Sequence, residues 1–176
     1  MRKLSLFESR RTFWSNLTIV AWGIFGRPLV QASVLPAFAR ILILRLWGAK
    51  IGKRLVLRKR VKVHFPRNLE IGDDCWIGEE VWFINHEKIT IGSNVCISQR
   101  SIICSGGHDY RSASLAYAHK PVVIKDGAWV CLDAKVLPGV TIGECSVVSA
   151  GEIVRRPLPD YSMLVGGQVR QIDPPK

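Results

Sequence analysis

The sequence repeats a branched aliphatic residue at every sixth position, and this period restricts the fold more than any other feature. Ile and Val make up 35 of the 176 residues, so six of them in a row at one phase would arise by chance well under about once in a thousand sequences. The longest run comprises Ile124, Val130, Val136, Ile142, Val148 and Val154. Shorter runs comprise Ile71, Ile77 and Phe83, and then Ile91, Ile97 and Ile103. A period of six fits neither an α-helix nor a continuous alternating strand.

Short strands separated by turns explain this period if each strand directs one aliphatic side chain inward. Glycine often follows the aliphatic residue, as at Gly72 and Gly143, which indicates a tight corner or a close approach of the backbone. Three such strands form one triangular coil of about eighteen residues, and successive coils stack as parallel strands about 4.8 Å apart. The predicted coils are residues 51–68, 71–88, 91–108, 124–141 and 142–159. They give a prism about 24 Å long.

Five short motifs, in one order along the chain, are similar to those of a known family. They are residues 47–52 (WGAKIG), 68–73 (NLEIGD), 82–85 (WFIN), 97–99 (ISQ) and 107–111 (GHDYR). Residues 48–172 therefore resemble the hexapeptide-repeat acyltransferases, in particular the acetyltransferases of colanic acid and exopolysaccharide biosynthesis. The resemblance implies a homotrimer with active sites at the subunit interfaces. It also implies an all-β, left-handed parallel β-helix of about five coils, with an N-terminal helical appendage and one long loop.

The positive charge of the chain is concentrated near its beginning. Residues 1–60 carry thirteen Lys/Arg and the single acid Glu8, whereas residues 61–176 carry twelve basic and thirteen acidic residues. The first segment is also apolar, but Arg27 and Pro28 interrupt it before the length of about 20 residues that a membrane span needs. We predict a basic, apolar helical segment over residues 1–47, a β-helix domain over 48–172 and a tail over 173–176.

Two interpretations of the helical segment remain open. Flanking Lys/Arg would draw apolar helices to anionic lipid, or the helices would cover the end of the β-helix or pack between subunits. The pattern predicts neither a single-pass anchor nor a cleaved signal peptide. We therefore expect a cytoplasmic protein that can lie on the inner face of the membrane. Because the β-helix domain is almost neutral, nucleic acid is not an expected partner.

One long interval breaks the period, between Ile103 and Ile124. We predict a loop over residues 109–123, with His108 at its base, and a loop inserted into a rigid solenoid is a natural place for function. In the resembled family the histidine of this motif is the catalytic base. The chemistry agrees, because a neutral imidazole can take the proton of a sugar hydroxyl as its oxygen attacks a thioester.

The acceptor is expected to bind beside this histidine. Asn85 lies one coil earlier, where the resembled fold places a polar residue that contacts the acceptor, and Asp109 adjoins His108. The implied acceptor is a saccharide or a lipid-linked saccharide. We expect His64 and His119 to be surface residues.

The C-terminal coils are expected to bind acetyl-CoA, the donor substrate that the resemblance implies. Candidate donor-binding residues are Trp129, Leu132, Ala150, Arg155, Arg156 and Arg170. Trp129 would lie near the thioester or the pantetheine arm, and an aromatic packed on the outside of a coil is the alternative. Guanidinium groups bind phosphate well, so the three arginines would meet the CoA phosphates, with a solvated basic edge as the alternative.

Three departures from the family pattern leave a second function open. Cys131 and Leu132 replace a pair of glycines, Glu152 occupies a small-residue position, and residues 166–168 (GGQ) replace Gly-Asn-Pro. They favour either altered donor contacts or an inactive β-helical scaffold or membrane-docked assembly protein. The cysteines and histidines lack zinc spacing, which argues against a γ-type carbonic anhydrase and predicts no metal. Cys104 is expected to be buried rather than acylated.

Overall fold

The computed structural model describes residues 13–174, with side chains from Leu17 onward. Residues 1–12 of the predicted helical segment and residues 175–176 of the predicted tail lie outside the described residues. The helices are α1 (Phe13–Ala21), a π-helical segment (Trp22–Gly26), α2 (Arg27–Gln31) and α3 (Ala37–Leu46), and a 3-10 turn (Pro66–Asn68) follows later. Residues 13–46 are called the helical cap below.

Short strands form three sheets that enclose a triangular prism. Sheet A contains β1 (Lys50–Ile51), β4 (Leu69–Ile71), β7 (Ile89–Ile91), β10 (Val122–Ile124) and β13 (Thr141–Ile142). Sheet B contains β2 (Val56–Leu57), β5 (Trp76–Ile77), β8 (Cys96–Ile97), β11 (Trp129–Val130), β14 (Val147–Val148), β16 (Ser162–Val165) and β17 (Gln168–Gln171). Sheet C contains β3 (Lys62–Val63), β6 (Trp82–Ile84), β9 (Ile102–Cys104), β12 (Lys135–Val136) and β15 (Ile153–Val154). The predicted left-handed parallel β-helix is confirmed.

The six-residue period becomes three columns of side chains inside the prism. The parallel register of sheet A aligns Ile71, Ile91, Ile124 and Ile142. The column of sheet B comprises Ile77, Ile97, Val130 and Val148. The column of sheet C comprises Phe83, Ile103, Val136 and Val154. All of these side chains are buried, so the inward positions that the period predicted are confirmed.

The glycine after an inward residue is required by the distance between coils. A Cβ at Gly72 would lie 2.7 Å from the carbonyl carbon of Gly92, and one at Gly143 would lie 2.3 Å from that of Pro159. Both distances are well inside van der Waals contact, so a side chain would force the coils apart. The predicted close approach of the backbone is confirmed.

The solenoid has about six coils rather than five. Leu158 pairs with Ile142 beyond β13, β16 extends sheet B, and β17 turns back antiparallel to β16. Leu158 and Leu164 are buried and six residues apart. The period did not predict this coil because Leu158 follows Val154 by four residues, which shifts the phase.

The helical cap covers the first coil and donates hydrogen bonds to all three of its strands. Arg45 Nη2 donates to the Ile51 carbonyl of β1 at 2.9 Å, and Arg40 Nη2 donates to the Leu57 carbonyl of β2 at 2.9 Å. The indole N–H of Trp22 donates to a β3 carbonyl at 3.1 Å. These bonds agree with the interpretation that the helices cover the end of the β-helix.

Among residues 13–174, no helix is both long enough and apolar enough to cross a bilayer. The longest α-helix in that range, α3, has ten residues. Contact of the cap with a membrane surface stays a prediction.

Replacement of a side chain in the central columns is expected to destabilise the whole solenoid. Phe83→Ala should lower the free energy of unfolding by about 3–5 kcal/mol, because the cavity lies between stacked coils and cannot collapse easily. Urea unfolding followed by circular dichroism measures this loss. Phe25→Ala is the matched control, since Phe25 is exposed and should change the same quantity by no more than about 0.5 kcal/mol. Equal losses in the two variants would contradict the assigned core.

Candidate functional site

The long interruption of the period forms a two-stranded ribbon. It leaves the prism after β9, at the corner between sheets C and A, and ends where β10 begins at Val122. The Ala118 N–H donates to the Gly107 carbonyl at 2.9 Å, and His108 lies opposite Tyr117 in antiparallel pairing. The predicted loop over residues 109–123 is therefore two residues too long at its end, because Val122 and Val123 belong to sheet A.

His108 lies exposed on the first arm of this ribbon. Its Nδ1 is 2.6 Å from the Leu115 carbonyl oxygen, and because a carbonyl only accepts, Nδ1 carries the hydrogen. In the neutral ring the lone pair is then on Nε2. Leu115 has a φ of 52°, a left-handed conformation that costs a non-glycine residue about 1 kcal/mol or more. The ribbon thus places one strained residue where its carbonyl fixes the tautomer of His108.

Asp109 stabilises the turn of the ribbon. Its Oδ1 accepts a hydrogen bond from the Arg111 N–H at 2.9 Å, and the residue is exposed next to His108. This bond uses one carboxylate oxygen. The contact of Asp109 with an acceptor stays a prediction.

Asn85 lies inside the wall of the prism. Its side chain is completely buried, its Oδ1 accepts from the backbone N–H groups of His64 and Phe65 at 3.1 and 3.0 Å, and its Nδ2 donates to the Phe65 carbonyl at 2.6 Å. The amide therefore joins the second coil to the first. Contact with an acceptor would break these bonds, so the geometry disfavours the acceptor-binding role that the sequence predicts for Asn85 and favours a role in shaping the corner.

All four histidines of the chain lie in one aromatic column along the corner between sheets C and A. The ring of Tyr117 lies 5.2 Å from His108 and 4.7 Å from His119. His119 stacks on His86 at 4.9 Å with an interplanar angle of 25°. His86 meets His64 edge-on at 5.3 Å. The column connects the exposed His108 to the first coil.

His64 is half-buried rather than fully on the surface as expected. Its Nδ1 is buried and has no hydrogen-bond partner among the described residues, and its ring packs edge-on against Trp82 at 5.8 Å. Burial, together with the nearby Arg27 and His86, lowers the pKa of His64 to about 4. The His64 imidazole is therefore neutral at pH 7 and serves as a packing group.

His119 holds the base of the ribbon, a role that the sequence did not predict. Its Nδ1 accepts the Gly107 N–H at 3.1 Å, which requires an unprotonated Nδ1. Gly106 completes the contact, because a Cβ there would lie 2.7 Å from Cδ2 of His86. The glycine pair before His108 thus allows the ribbon to lie directly against the histidine column. Tyr117 and His119 are separated by one residue on the second arm, and this alternating pattern could have predicted a strand from the sequence.

The candidate donor-binding residues occupy two separate regions. Trp129 is 47% exposed on the outer face of sheet B, and its indole N–H donates to Ser98 Oγ at 2.9 Å. Leu132 and Ala150 are exposed at adjacent corners between sheets B and C, where the Gly151 N–H donates to the Leu132 carbonyl. These residues share one side of the prism.

The candidate phosphate-binding arginines lie near the C-terminal end of the prism. Arg155 and Arg156 line a groove of about 450 Å³ together with Glu152 and Pro157. They follow β15 at the corner between sheets C and A, two coils beyond the ribbon. Arg170 lies on β17, opposite Met163. The structure therefore brings Arg155 and Arg156 to the corner of His108, and places the remaining donor candidates on the side of sheet B.

Two of the departures from the family pattern, Glu152 and the glycine pair of residues 166–167, are in contact with each other. Glu152 Oε1 accepts the Gly167 N–H at 3.1 Å, within the turn that joins β16 to β17. Gly166 and Gly167 have φ values of 58° and 74°, left-handed conformations that glycine adopts without strain. Glu152 therefore has a structural role and is not by itself a sign of lost activity.

Cys75 is buried and the other four cysteines are half-buried, so the buried position expected for Cys104 is wrong: Ile103 is the inward residue of β9 and Cys104 lies beside it. Burial raises the pKa of the Cys104 thiol, whose Sγ donates to the Gly106 carbonyl at 3.2 Å. A protonated thiol is a poor nucleophile, so the geometry disfavours an acyl-cysteine intermediate. Within the part of the chain that the structure describes, no group of three or more His, Cys, Asp or Glu is placed to hold a metal ion.

Comparison with known proteins connects this geometry to a family, although no family model matches the chain. A protein of Escherichia coli provisionally named colanic acid biosynthesis acetyltransferase WcaF is 43% identical over 120 residues, covering 68% of this chain and 66% of that protein. The galactoside O-acetyltransferase of Escherichia coli is 27% identical over 128 residues, covering 70% of this chain and 63% of that protein.

The solved structures carry the same fold. A hexapeptide-repeat acetyltransferase from Vibrio cholerae, complexed with acetyl coenzyme A, is 25% identical and matches 92% of this chain and 89% of its own, with a TM-score of 0.82. The chain belongs to the hexapeptide-repeat acetyltransferases. A galactoside acetyltransferase in complex with coenzyme A is 18% identical, covers 94% of this chain and 84% of its own, and shares the fold with a TM-score of 0.79.

The chain spans just under two thirds of the length of the two Escherichia coli relatives, at 66% and 63%. The family that the five sequence motifs indicated is confirmed. The roles of its individual site residues stay predictions.

The acceptor nitrogen of His119 is expected to keep the ribbon closed. His119→Phe keeps an aromatic ring but removes the bond to the Gly107 N–H, worth about 1 kcal/mol, so the ribbon should open about fivefold more often. Limited trypsin digestion under native conditions, with cleavage after Arg111 followed by mass spectrometry, measures this opening.

His119→Asn is the matched control, because its Oδ1 can accept the same N–H. Cleavage after Arg111 should then proceed at nearly the wild-type rate. Equal cleavage rates in wild type and His119→Phe would show that His119 does not hold the ribbon.

Proposed function

We propose that this protein transfers the acetyl group of acetyl-CoA directly to a saccharide hydroxyl in surface polysaccharide or glycolipid biosynthesis, with His108 as general base. The proposal is carried by the bond from His108 Nδ1 to the Leu115 carbonyl, because it leaves the lone pair on Nε2. The relatives support the substrate class, since one is named for colanic acid biosynthesis and another for galactosides.

In this mechanism Nε2 of His108 takes the proton of the acceptor hydroxyl as its oxygen attacks the thioester carbonyl carbon. The new C–O bond forms, the C–S bond breaks, and His108 returns the proton to the departing sulfur. The Leu115 carbonyl stabilises the imidazolium, because the bond from Nδ1 becomes charge-assisted. Acetyl-CoA is the donor substrate and supplies the activated acetyl group.

Exposed aromatic rings beside His108 support a saccharide or a lipid-linked saccharide as the acceptor. Tyr117 lies 5.2 Å from His108 and is partly exposed, and Tyr110 is exposed on the same ribbon. The apolar C–H face of a sugar ring packs well on such side chains. The tyrosines would orient the sugar, and His108 would select the hydroxyl by its position.

The complete site is expected to lie between copies of the chain in a homotrimer. Trp129 and Ala150 lie on the side of sheet B, away from the corner that carries His108. The outer face of sheet B also exposes Val56 and Trp76 in register with Cys96 and Trp129. An apolar face of this kind suits a subunit interface, which would bring the donor-binding face of one chain to the ribbon of the next.

Removal of the proposed base should abolish most of the transfer without affecting donor binding. His108→Ala should lower kcat/KM for the acceptor by about 10²–10⁴-fold, the usual contribution of a positioned general base. Release of free CoA from acetyl-CoA with candidate saccharides measures turnover, and calorimetry with CoA measures donor binding.

Arg111→Ala is the control on the same ribbon and should keep wild-type turnover. Equal turnover in wild type and His108→Ala would exclude His108 as the base. Failure of the wild-type protein to bind CoA would favour the inactive scaffold, the alternative with which the exposed Leu132 is compatible.

The arginines of the C-terminal groove should recognise the phosphates of the donor. The double substitution Arg155→Ala and Arg156→Ala should weaken CoA binding by about tenfold or more, as expected for lost charge-assisted bonds. Comparison of Kd values for CoA and 3′-dephospho-CoA identifies the phosphate concerned. Arg58→Ala is the matched control, because Arg58 is an exposed arginine of the first coil, and it should leave both Kd values unchanged. If the double variant binds CoA as tightly as the wild type, Arg155 and Arg156 belong to a solvated edge.

A further inference from the structure

The outer face of helix α3 is apolar, which reverses the usual pattern of a surface helix. Because an α-helix turns about 100° per residue, the buried Arg40 and Leu44 face the first coil and Phe38, Leu42 and Leu46 face away from it. Phe38 is 74% exposed and Leu46 is 76% exposed. The inward Arg40 is explained by its bonds to β2, but the packing of the described residues gives no reason for large apolar side chains on the outside.

The preceding helices repeat this arrangement. Trp22 and Val30 are buried against the solenoid, whereas Ile24, Phe25 and Leu29 are exposed. Residues 17–46 hold nine of the sixteen exposed large hydrophobic side chains in the described part of the chain. Scattered exposed hydrophobic residues are ordinary, but a concentration of them marks an interaction surface.

A collar of positive charge surrounds the same end of the molecule. From residue 13 to residue 69 the chain contains eleven Lys/Arg and no Asp or Glu. Exposed basic residues occupy all three corners of the first coil: Lys53 between sheets A and B, Lys59 between B and C, and Arg67 between C and A. The apolar helices and the basic collar are therefore adjoining parts of one surface.

We propose that the helical cap is a membrane-docking surface. Its apolar outer face enters the boundary between headgroups and acyl chains of an anionic bilayer, and the collar of Lys and Arg contacts the lipid phosphates. An apolar helical face combined with flanking basic residues is the arrangement that holds proteins in the bilayer interface. The prism then extends away from the membrane, with β17 at its far end.

The charge distribution favours a bilayer over a second copy of the chain as the occupant. Lys50, Arg54 and Arg60 pair with acidic residues of the second coil, but Lys53, Lys59 and Arg67 have no ion pair among the described residues. Two caps in contact would bring these unpaired charges together, and like charges facing each other across an interface oppose association. Anionic lipid headgroups supply the missing negative charge. The long Lys and Arg side chains can also reach the headgroups while the apolar side chains remain in the acyl region.

Docking in this orientation would bring the site close to lipid-borne substrates. The ribbon belongs to the third coil, two coil spacings or about 10 Å from the first coil. A saccharide carried on a lipid would then be within reach of His108. This consequence rests on the proposed function, whereas the docking itself does not depend on the transfer chemistry.

Co-sedimentation of the full chain with lipid vesicles tests the proposal. The protein should bind phosphatidylcholine vesicles that contain about 20% phosphatidylglycerol, and the binding should weaken as salt rises from about 0.1 M to about 0.5 M. The triple substitution Phe25→Ser, Phe38→Ser and Leu42→Ser should lower the partition coefficient by about tenfold or more. Val169→Ser is the control, since Val169 is apolar and about as exposed as Leu42 but lies on β17.

A charge variant and an activity assay separate the remaining explanations. Lys53→Glu, Arg58→Glu and Lys59→Glu together should remove the salt-dependent part of the binding. Turnover with a soluble saccharide, measured in parallel, reports the transfer chemistry separately from docking. Absence of vesicle binding by the wild type, or wild-type binding by the triple serine variant, would overturn the proposal. It would also be overturned if the triple serine variant changed the oligomeric state measured by light scattering and left vesicle binding unaltered.

Discussion

Each inward side chain of the solenoid lies directly on its equivalents one coil away, because the parallel backbone ladder holds successive coils about 4.8 Å apart. This spacing decides the composition of the whole body. It places one aliphatic column inside each sheet, requires glycine where coils approach most closely, as at Gly72, and fills the space between the three columns with buried side chains. The regular part of the chain is consequently a rigid support, and its chemistry is confined to outward faces, corners and the one ribbon.

The ribbon depends on that support through the histidine column. Packed rings extend from the half-buried His64 of the first coil to Tyr117 and His108, so the insertion has a fixed base. The bond that the Gly107 N–H donates to His119 and the bond that His108 donates to the Leu115 carbonyl act at the two ends of the second arm of the ribbon. One holds the ribbon to the solenoid, and the other sets which ring nitrogen can accept a proton.

Sequence reasoning predicted the parts of the molecule that repeat. The six-residue period identified the inward columns and the coil architecture, and its single long interruption identified the position of His108. It did not predict the sixth coil, because the phase changes at Leu158. Nor did it predict that Asn85 would be buried and bonded to the backbone or that the ring of His64 would pack against Trp82 and His86. Both depend on which corners lie next to each other in space. The pairing of His119 with Gly107 likewise requires the register of the ribbon, and a sequence of mixed polar residues does not specify that register.

The two ends of the prism differ in how their strand edges are covered. At the first coil, the side chains of Arg45, Arg40 and Trp22 donate hydrogen bonds to carbonyl groups of its three strands. At the other end, the antiparallel β17 is the last strand of sheet B. Exposed strand edges present unpaired N–H and C=O groups with which further strands can pair. A stack of parallel coils with an uncovered end would therefore be a template for end-to-end growth. Because the helical cap covers the first coil, copies of this chain can associate through their flat sides without the solenoid extending at that end.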